Sequence, residues 1–503
     1  MSAAKQRCVA VVGAGWAGCA AAVELTLRGC RVDVFESSKI LGGRARRLRL
    51  PGNDQTTDDW ETRLDNGQHI LLGTYTQSLR LMRAVGVSFP EALLRLPLQM
   101  RYPPATGGMD FLSAKLPAPL HLAVPLLRTR GLTIADKLSL LRFASAARWM
   151  GWRLNQDCSV AALLEVHDQT ARVIDLFWRP LCLAALNTPP DRASAQVFLT
   201  VLRDSLGAKR AASDMLLPRL DLNALFPAPA AAFIQRHGGR VMCAARVVGI
   251  KALTGTASES AGWQLELSDN ARHDDILHKG HGQGAQQCTR YDNVVLATPF
   301  ADTTRLLASA TDASHADASD SAIDEMAYEP IITCYLQYGS SLRLALPFYA
   351  LQDAPSRQRW GQFVFDRGHL DPAQAGLLAV VISAACEAAD LSQETLCAAV
   401  AQQLATDFRD PALGMPHRVK RICEKRATFA CTPGLNRPSV DTGIPGIVRA
   451  GDYVGYVGCD EAVESNRADR CNEANYPATI EAAVRSGVRA AVYVCEDGVF
   501  SSA

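Results

Sequence analysis

The residues best suited to chemistry lie near the start of the chain, in the stretch VAVVGAGWAGCAAAVELTLRGCRVDVFE from Val9 to Glu36. Gly13, Gly15 and Gly18 give G-x-G-x-x-G, and Glu36 follows about 20 residues on, which is the spacing of a dinucleotide site. The first glycine allows a tight turn, the second lets a pyrophosphate approach the backbone, and the third lets helix and strand pack closely. The N–H groups that open the following helix offer unpaired donors and a partial positive charge to phosphates. Glu36 can accept hydrogen bonds from a ribose 2′-hydroxyl and would repel a 2′-phosphate. Directly after it, Gly42-Gly43-Arg44 is a second glycine turn with a cation beside it. A further cofactor contact is the stronger reading there, a plain turn the other. Asp65-Asn66-Gly67 is turn chemistry, and Gln68 and His69 lead into an apolar segment. Histidine is the side chain for proton transfer near neutrality, although a lone histidine is more often structural. Far away, Ile447 to Asp452 reads as a strand closing on Gly451 and Asp452, and PATIEAAVRSG reads as a helix with Pro477 in its first turn. Its N-terminus, near Ala478 and Thr479, is either a second place to hold a dinucleotide or simple strand–helix packing.

These residues need a scaffold, and the apolar pattern supplies one. Val9–Val12 and Arg31–Phe35 read as buried parallel strands flanking an Ala-rich helix. Tyr291–Phe300, YDNVVLATPF, brings the chain back to the same domain. Between these lie a short helix over Thr76–Val85, stopped by Gly86, and a Leu-, Pro- and Arg-rich region over Phe111–Trp152 with helical spacing at Leu138, Leu141 and Ala144–Ser145. Core packing is the favoured account of that region; a half-buried interfacial surface edged by arginines is the other. Residues 158–226 read as further helices, Arg240–Ile250 and Trp263–Leu267 as strands, and 51–61, 269–290 and 307–322 as exposed loops. Strands recur at Ile331–Tyr338, Gln362–Asp366 and Leu377–Ser383, and a helix is predicted over Ser392–Phe408.

With 503 residues, 48% hydrophobic and 20% charged with net charge +1, the chain has the composition of an ordinary globular protein. Nothing in that balance calls for nucleic acid as a partner. Its 15 cysteines are scattered and form no C-x-x-C pair, so free thiols in a reducing cytoplasm are expected and no metal site is. No secretory signal and no uninterrupted apolar run of about 18 residues is visible, which argues against a spanning helix but leaves peripheral contact with a membrane open.

Taken together, VVGAGWAG…FE, LGGRA, GGRVMCAARVVGI, VVLATP, AGD and PATIEAAVRSG resemble the FAD-dependent amine oxidase and phytoene desaturase superfamily. The stretches LDNGQHILLGTY, FWRPLCLAALNTPPDRASAQVFLTVLRDS and SDMLLPRLDLNALFPAPAAAFIQRHGG are similar to the squalene-associated, desaturase-like branch, whose assigned activity is hydroxysqualene dehydroxylation in bacterial squalene and hopanoid synthesis. The resemblance implies a mixed α/β fold in which a Rossmann-like FAD-binding domain (1–75, 231–305, 421–503) interleaves with a substrate domain of helices (76–230) and sheet (306–420). It implies FAD with its pyrophosphate on Gly13, Gly15, Gly18 and the N–H groups of Trp16 and Ala17, and its adenosine ribose on Glu36. Gly43 and Arg44 would run along the pyrophosphate and ribityl chain, and Val247 would meet adenine through its backbone. Gly451 and Asp452 would take a ribityl hydroxyl, Ala478 and Thr479 would point at the flavin, and Gly67, Gln68 and His69 would approach the isoalloxazine. The long segment between Asp452 and Pro477 departs from the superfamily pattern and puts the positions of Asp452 and Thr479 in question.

The implied reaction is reductive removal of an allylic hydroxyl from a long apolar isoprenoid, with His69 as the proton donor or a polariser of the hydroxyl. Arg179 is too cationic to donate and is assigned a structural or interfacial place. No second dinucleotide fingerprint is visible, so an external electron donor is expected. The rivals are an oxidative isoprenoid or carotenoid desaturase and a flavin-free prenyl-lipid-binding chaperone on the same fold.

Overall fold

Apolar, β-branched runs without alternation form strands covered on both faces, and one half of the molecule is built from them. The computed structural model describes residues 6–48, 60–253, 261–268, 290–310, 326–455 and 476–496. The strands β1 (Cys8–Val12), β2 (Arg31–Phe35), β3 (Arg240–Met242), β4 (Asn293–Leu296) and β5 (Ile447–Arg449) form one sheet in the order β5-β4-β1-β2-β3, each pair parallel. Alternate residues of β1 serve two different cores. Val9 and Val11 pack with the helices Trp16–Leu27 and Ile480–Glu496, while Ala10 and Val12 pack on the other side with Phe35, Ile250 and Leu306. The helix Trp16–Leu27 has apolar residues all round because it is enclosed all round, by the sheet, by the C-terminal helix and by Pro227–Arg236. Close approach is possible because both helices carry small residues: a Cβ on Gly487 would stand 2.2 Å from the Ala17 carbonyl oxygen.

The second half is an antiparallel sheet in the order Phe348–Ala350, Phe363–Asp366, Leu377–Ile382, Tyr328–Gln337, Arg418–Phe429. The helix Gln393–Phe408, capped by the Ser392 hydroxyl, lays Leu396, Val400 and Leu404 against Ile332, Leu336 and Val380. A helical region between residues 120 and 205 encloses a further core of Phe143, Trp178 and Phe198. Asn187 joins it to the sheet. Its amide donates to the Glu329 carbonyl (3.1 Å) and the Thr428 hydroxyl (2.9 Å) and accepts from the Ala384 N–H (2.7 Å), reaching three different strands or their ends from a buried left-handed position. Arg179 makes a second joint by pairing with Asp353.

The α/β class and the interleaving stand as expected, since one parallel sheet draws on residues from 8 to 449. Several local expectations are corrected. Arg240–Ile250 is two elements: the chain turns at Ala244 (φ 54°), leaving β3 in the parallel sheet and sending Val247–Leu253 to pair with Gly262–Leu267. The expected loop 307–322 begins as the last turn of the helix Phe300–Ala310, held by buried Leu306 and Leu307; residues 311–322, most of 269–290 and 51–59 lie outside the described residues. Arg418–Phe429, RVKRICEKRATF, is a strand despite its charge, because it lies beside Tyr328–Gln337 and buries little of its length. It crosses the boundary set at 420, so the return to the nucleotide half comes after Phe429. In the helix Ile134–Trp149 the buried face is Ser139, Leu140, Phe143 and Ala147, and the expected core position Leu138 is 53% exposed. The contact between Phe143 and Trp178, 4.6 Å between ring centres, selects that face.

Candidate cofactor site and active centre

The three fingerprint glycines have different physical tasks. Gly13 has φ +100° and donates its N–H to the Phe35 carbonyl (2.7 Å); a Cβ there would stand 2.6 Å from the Ala297 carbonyl oxygen. A Cβ on Gly18 would stand 1.9 Å from the Gly13 carbonyl oxygen. Both are required by the fold itself. Gly15 has an ordinary extended conformation (φ −68°), and the nearest atom to a Cβ there is the Cα of Gly43 at 3.8 Å. Two glycine turns therefore face one another, tied by the Gly42 N–H to the Ala14 carbonyl (2.8 Å). Neither puts a side chain into the gap. The helix starting at Trp16 has no side-chain cap, and its first bond runs from the Cys19 N–H to the Gly15 carbonyl (2.9 Å). The N–H groups of Trp16 and Ala17 precede that bond and stand at the positive end of the helix. Such a bare, glycine-lined helix terminus fits a pyrophosphate. The Trp16 ring is turned inward, donating from Nε1 to the Ala45 carbonyl (2.9 Å) and packing on Phe226.

Glu36 sits buried at the end of β2, where its carboxylate accepts the Ala14 N–H (2.7 Å) and the Ser38 N–H (2.8 Å). That fixes its orientation and leaves acceptor capacity for a ribose hydroxyl. The Ala245 N–H bonds the Glu36 carbonyl (2.8 Å), and Val247 shares one apolar cluster with Phe35, so the segment expected at adenine lies beside this acid.

The far end of the chain reaches the same place. Arg44 Nη2 contacts Asp452 Oδ1 at 2.5 Å, and Nη1 donates to the Ala427 carbonyl (2.7 Å). Arg44 keeps 41% of its side-chain surface accessible, yet the surrounding protein desolvates its guanidinium. Desolvation disfavours its charge, but the Asp452 carboxylate more than offsets this and the net shift is upward. The Gly451 N–H is held by the Ser486 hydroxyl (3.0 Å). The last helix starts at Ile480 rather than at Pro477: Thr479 caps it, its hydroxyl accepting from the Ala482 N–H (3.2 Å), and Pro477 precedes the cap. Ala478 packs instead against the apolar core of the helical region.

Residues 456–475 lie outside the described part, but the two ends of that segment are joined. Arg437 donates to the carbonyls of Asp452 (2.7 Å), Tyr453 (3.1 Å), Val454 (2.9 Å) and Tyr476 (2.7 Å). The departure from the superfamily pattern therefore leaves Asp452 and Thr479 in one locality. Burial pulls the Arg437 guanidinium down to about 10, which four carbonyl acceptors make tolerable. Nothing in the sequence marked this residue. Glu481 was also missed. Wholly buried on the last helix, it accepts from the N–H groups of Gln77 (3.0 Å) and Ser78 (2.9 Å), the Ser78 hydroxyl (2.7 Å) and Arg485 (2.8 Å). It thus caps the helix Thr76–Ala84 from across the fold, a task visible only once both helices are placed.

The 65–69 segment is tied to Arg44 through Asn66, whose amide donates to the Arg44 carbonyl (3.0 Å). Gln68 is engaged by protein, its carbonyl accepting from Arg367 (2.9 Å). His69 Nδ1 lies 3.0 Å from the Gly67 carbonyl, which can only accept, so Nδ1 carries the proton and the neutral ring leaves Nε2 as an acceptor without a partner among the described residues. Burial lowers the imidazole pKa, only partly opposed by the Gly67 carbonyl. A Cβ on Gly67 would lie 3.6 Å from the imidazole and 3.7 Å from the Thr333 hydroxyl, which is buried and has no hydrogen-bond partner among the described residues. Thr333 is thus a further polar group, on the Gly67 side of this segment, that sequence reading did not single out. Nearby, burial raises Asp65 to about 7 despite Arg367 and Arg47.

A family model described as flavin containing amine oxidoreductase matches residues 16–468. The chain belongs to that family. It is a flavin-dependent oxidoreductase and its cofactor is FAD; the flavin-free chaperone reading is set aside. Hydroxysqualene dehydroxylase of Rhodopseudomonas palustris is 27% identical over 504 residues, covering 97% of this chain and 99% of that protein. The enzyme of the same name from Sinorhizobium fredii is 26% identical over 492 residues, covering 96% and 97%. Zeta-carotene desaturase of Zea mays is 28% identical over 245 residues, covering 46% of this chain and 41% of that protein. Among solved structures, cyclohexylamine oxidase of Brevibacterium oxydans matches 98% of this chain and 99% of its own with a TM-score of 0.61 at 16% identity, which shows the common fold.

Proposed function

We propose that the protein reductively removes the allylic hydroxyl of hydroxysqualene to give squalene. The observation that carries this reading is coverage. The similarity to hydroxysqualene dehydroxylases runs through 96–97% of this chain, including the helical substrate region, whereas that to the maize desaturase covers 46%. The desaturase match sustains one alternative, oxidative desaturation of an isoprenoid on the same scaffold.

Hydroxide is a poor leaving group, so its departure needs a proton. We assign that proton to His69 Nε2, with Nδ1 anchored on the Gly67 carbonyl and the Thr333 hydroxyl available to orient the substrate oxygen. Because burial favours the neutral ring, the donor must be loaded from solvent before each turnover, and acid should favour the reaction. When bound, reduced FAD supplies the hydride that replaces the lost oxygen. The chain's own part is to hold the pyrophosphate at Gly15 and Trp16, to orient the ribityl side through Arg44 and Asp452, and to keep the allylic centre away from water. Reducing equivalents come, on this reading, from an external donor. We place the protein in the reducing cytoplasm, a compartment that suits the free thiols of the described cysteines.

The test is an anaerobic incubation of chemically reduced enzyme with hydroxysqualene, with product analysis. Squalene should form in proportion to reduced flavin. If the substrate returns unchanged while an isoprenoid alkane chain is desaturated by the oxidised enzyme, the alternative holds.

A further inference from the structure

Six of the eleven large apolar side chains left exposed among the described residues fall in one short span: Leu112, Leu120, Leu127, Ile134, Leu138 and Trp149. Single exposed leucines are ordinary, but a concentration of this kind marks an interaction surface. On the helix Ile134–Trp149 they obey the helical period. Ile134, Leu138 and Trp149, at i, i+4 and i+15, share one stripe opposite buried Leu140, Phe143 and Ala147. Ile134 is 79% exposed and Trp149 89%, an unusual place for an indole. The preceding helix, Leu120–Arg128, is tied to this one by Lys137 Nζ on the Leu127 carbonyl (2.8 Å), which sets Leu127 beside the stripe.

Charge decides what this face fits. Between Leu112 and Arg153 the sequence holds seven cations, Lys115, Arg128, Arg130, Lys137, Arg142, Arg148 and Arg153, against one acid, Asp136. Asp136 is buried and spent in the capping box with Thr133, so this span exposes no anion. The chain as a whole is balanced at +1, which makes the local excess a feature of this face. Lys137 and Arg148 flank the stripe on one side and Arg142 on the other. None of Arg128, Arg130, Arg142 and Arg148 pairs with a carboxylate among the described residues. Apolar side chains rimmed by unpaired cations are the pattern of a helix lying in a lipid interface, with the stripe among acyl chains and the cations at phosphate level. No helix of the described residues is long and apolar enough to cross a membrane.

We propose that the face formed by Leu120–Arg128 and Ile134–Trp149 docks the protein on an anionic lipid bilayer. Delivery of a long isoprenoid from that bilayer rests on the function proposed above; the docking does not.

The FAD-loaded full chain is sedimented with phosphatidylcholine vesicles, with and without phosphatidylglycerol. Binding should require phosphatidylglycerol and weaken as salt rises. A Leu138→Glu/Trp149→Glu variant should lose it while keeping its flavin content, its thermal unfolding profile and its turnover of detergent-dispersed substrate. Should that variant misfold, Arg128→Gln/Arg142→Gln/Arg148→Gln keeps the test, each lost cation lowering partitioning about fivefold. Failure of the wild type to pellet with anionic vesicles, or equal pelleting of the variants, overturns the proposal. So does a dimer that Leu138→Glu dissociates in the absence of any vesicle binding, since the face would then join two copies. Vesicle binding is read without turnover, so its failure and a failure of the substrate assignment stay distinct.

Discussion

Replacing single fingerprint glycines with alanine should separate cofactor binding from folding, because the structure gives each glycine a different reason. Gly13→Ala forces a side chain onto φ +100° and 2.6 Å from the Ala297 carbonyl oxygen. The conformation alone costs about 1–2 kcal/mol, and the contact adds to it. Gly18→Ala is worse, since the Gly13 carbonyl would have to retreat by about 1 Å. Gly15→Ala meets nothing nearer than 3.8 Å at an ordinary φ, so the fold should be unharmed or firmer by about 0.4–1 kcal/mol. Its methyl group would nonetheless occupy the gap between the two glycine turns. Displacing a pyrophosphate from two backbone donors, at about 1.5–3 kcal/mol for each charge-assisted bond, amounts to about 3–6 kcal/mol. That is a loss of about two to four decades in FAD affinity. The assay is FAD titration of the apoprotein by flavin fluorescence, alongside urea unfolding of the same apoprotein. The expected pattern is a weakened fold for Gly13→Ala and Gly18→Ala, and an intact fold with little flavin for Gly15→Ala. If Gly15→Ala binds FAD within about threefold of wild type, the cradle is not where the pyrophosphate lies.

Other outcomes follow from the same geometry. Glu481→Gln removes the carboxylate charge beside Arg485 and weakens the cap on Thr76–Ala84, and should cost about 1–3 kcal/mol in urea unfolding. Asn187→Ala strands buried groups on three sheet segments and should cost about 3 kcal/mol; an unchanged denaturation midpoint would show the joint to be dispensable. Asp65 binds its proton more tightly folded (about 7) than unfolded (3.8), so its contribution is fully present below pH 3.8 and is lost as pH rises through about 7. The stability of Asp65→Asn relative to wild type should therefore climb across that window and level off above it, as urea unfolding against pH would show. For His69, kcat/KM of dehydroxylation should rise as pH falls toward its lowered pKa, and His69→Gln should flatten that profile; an unaltered slope would remove it as the proton donor.

Much of this molecule is dictated locally. A β-branched run, glycines at a turn, an Ala-rich helix and an acid one strand later can hardly form anything but the βαβ unit observed from Cys8 to Glu36, because each choice is enforced by backbone sterics within a few residues. Ser392 at the start of Gln393–Phe408 was legible for the same reason. What the sequence could not settle was decided at a distance. Which face of Ile134–Trp149 is buried depends on Trp178 arriving beside Phe143, since apolar residues occupy both faces. Arg418–Phe429 is a strand because Tyr328–Gln337 offers it an edge to pair with. The joining of Arg44 to Asp452, of Arg437 to both ends of residues 452–476, and of Glu481 to a helix some 400 positions earlier needs the whole chain closed. Local sequence sets backbone conformation because steric contacts are short-ranged; burial, ion pairs and the proton affinity of His69 belong to the tertiary structure, because desolvation comes from residues that only the fold brings near.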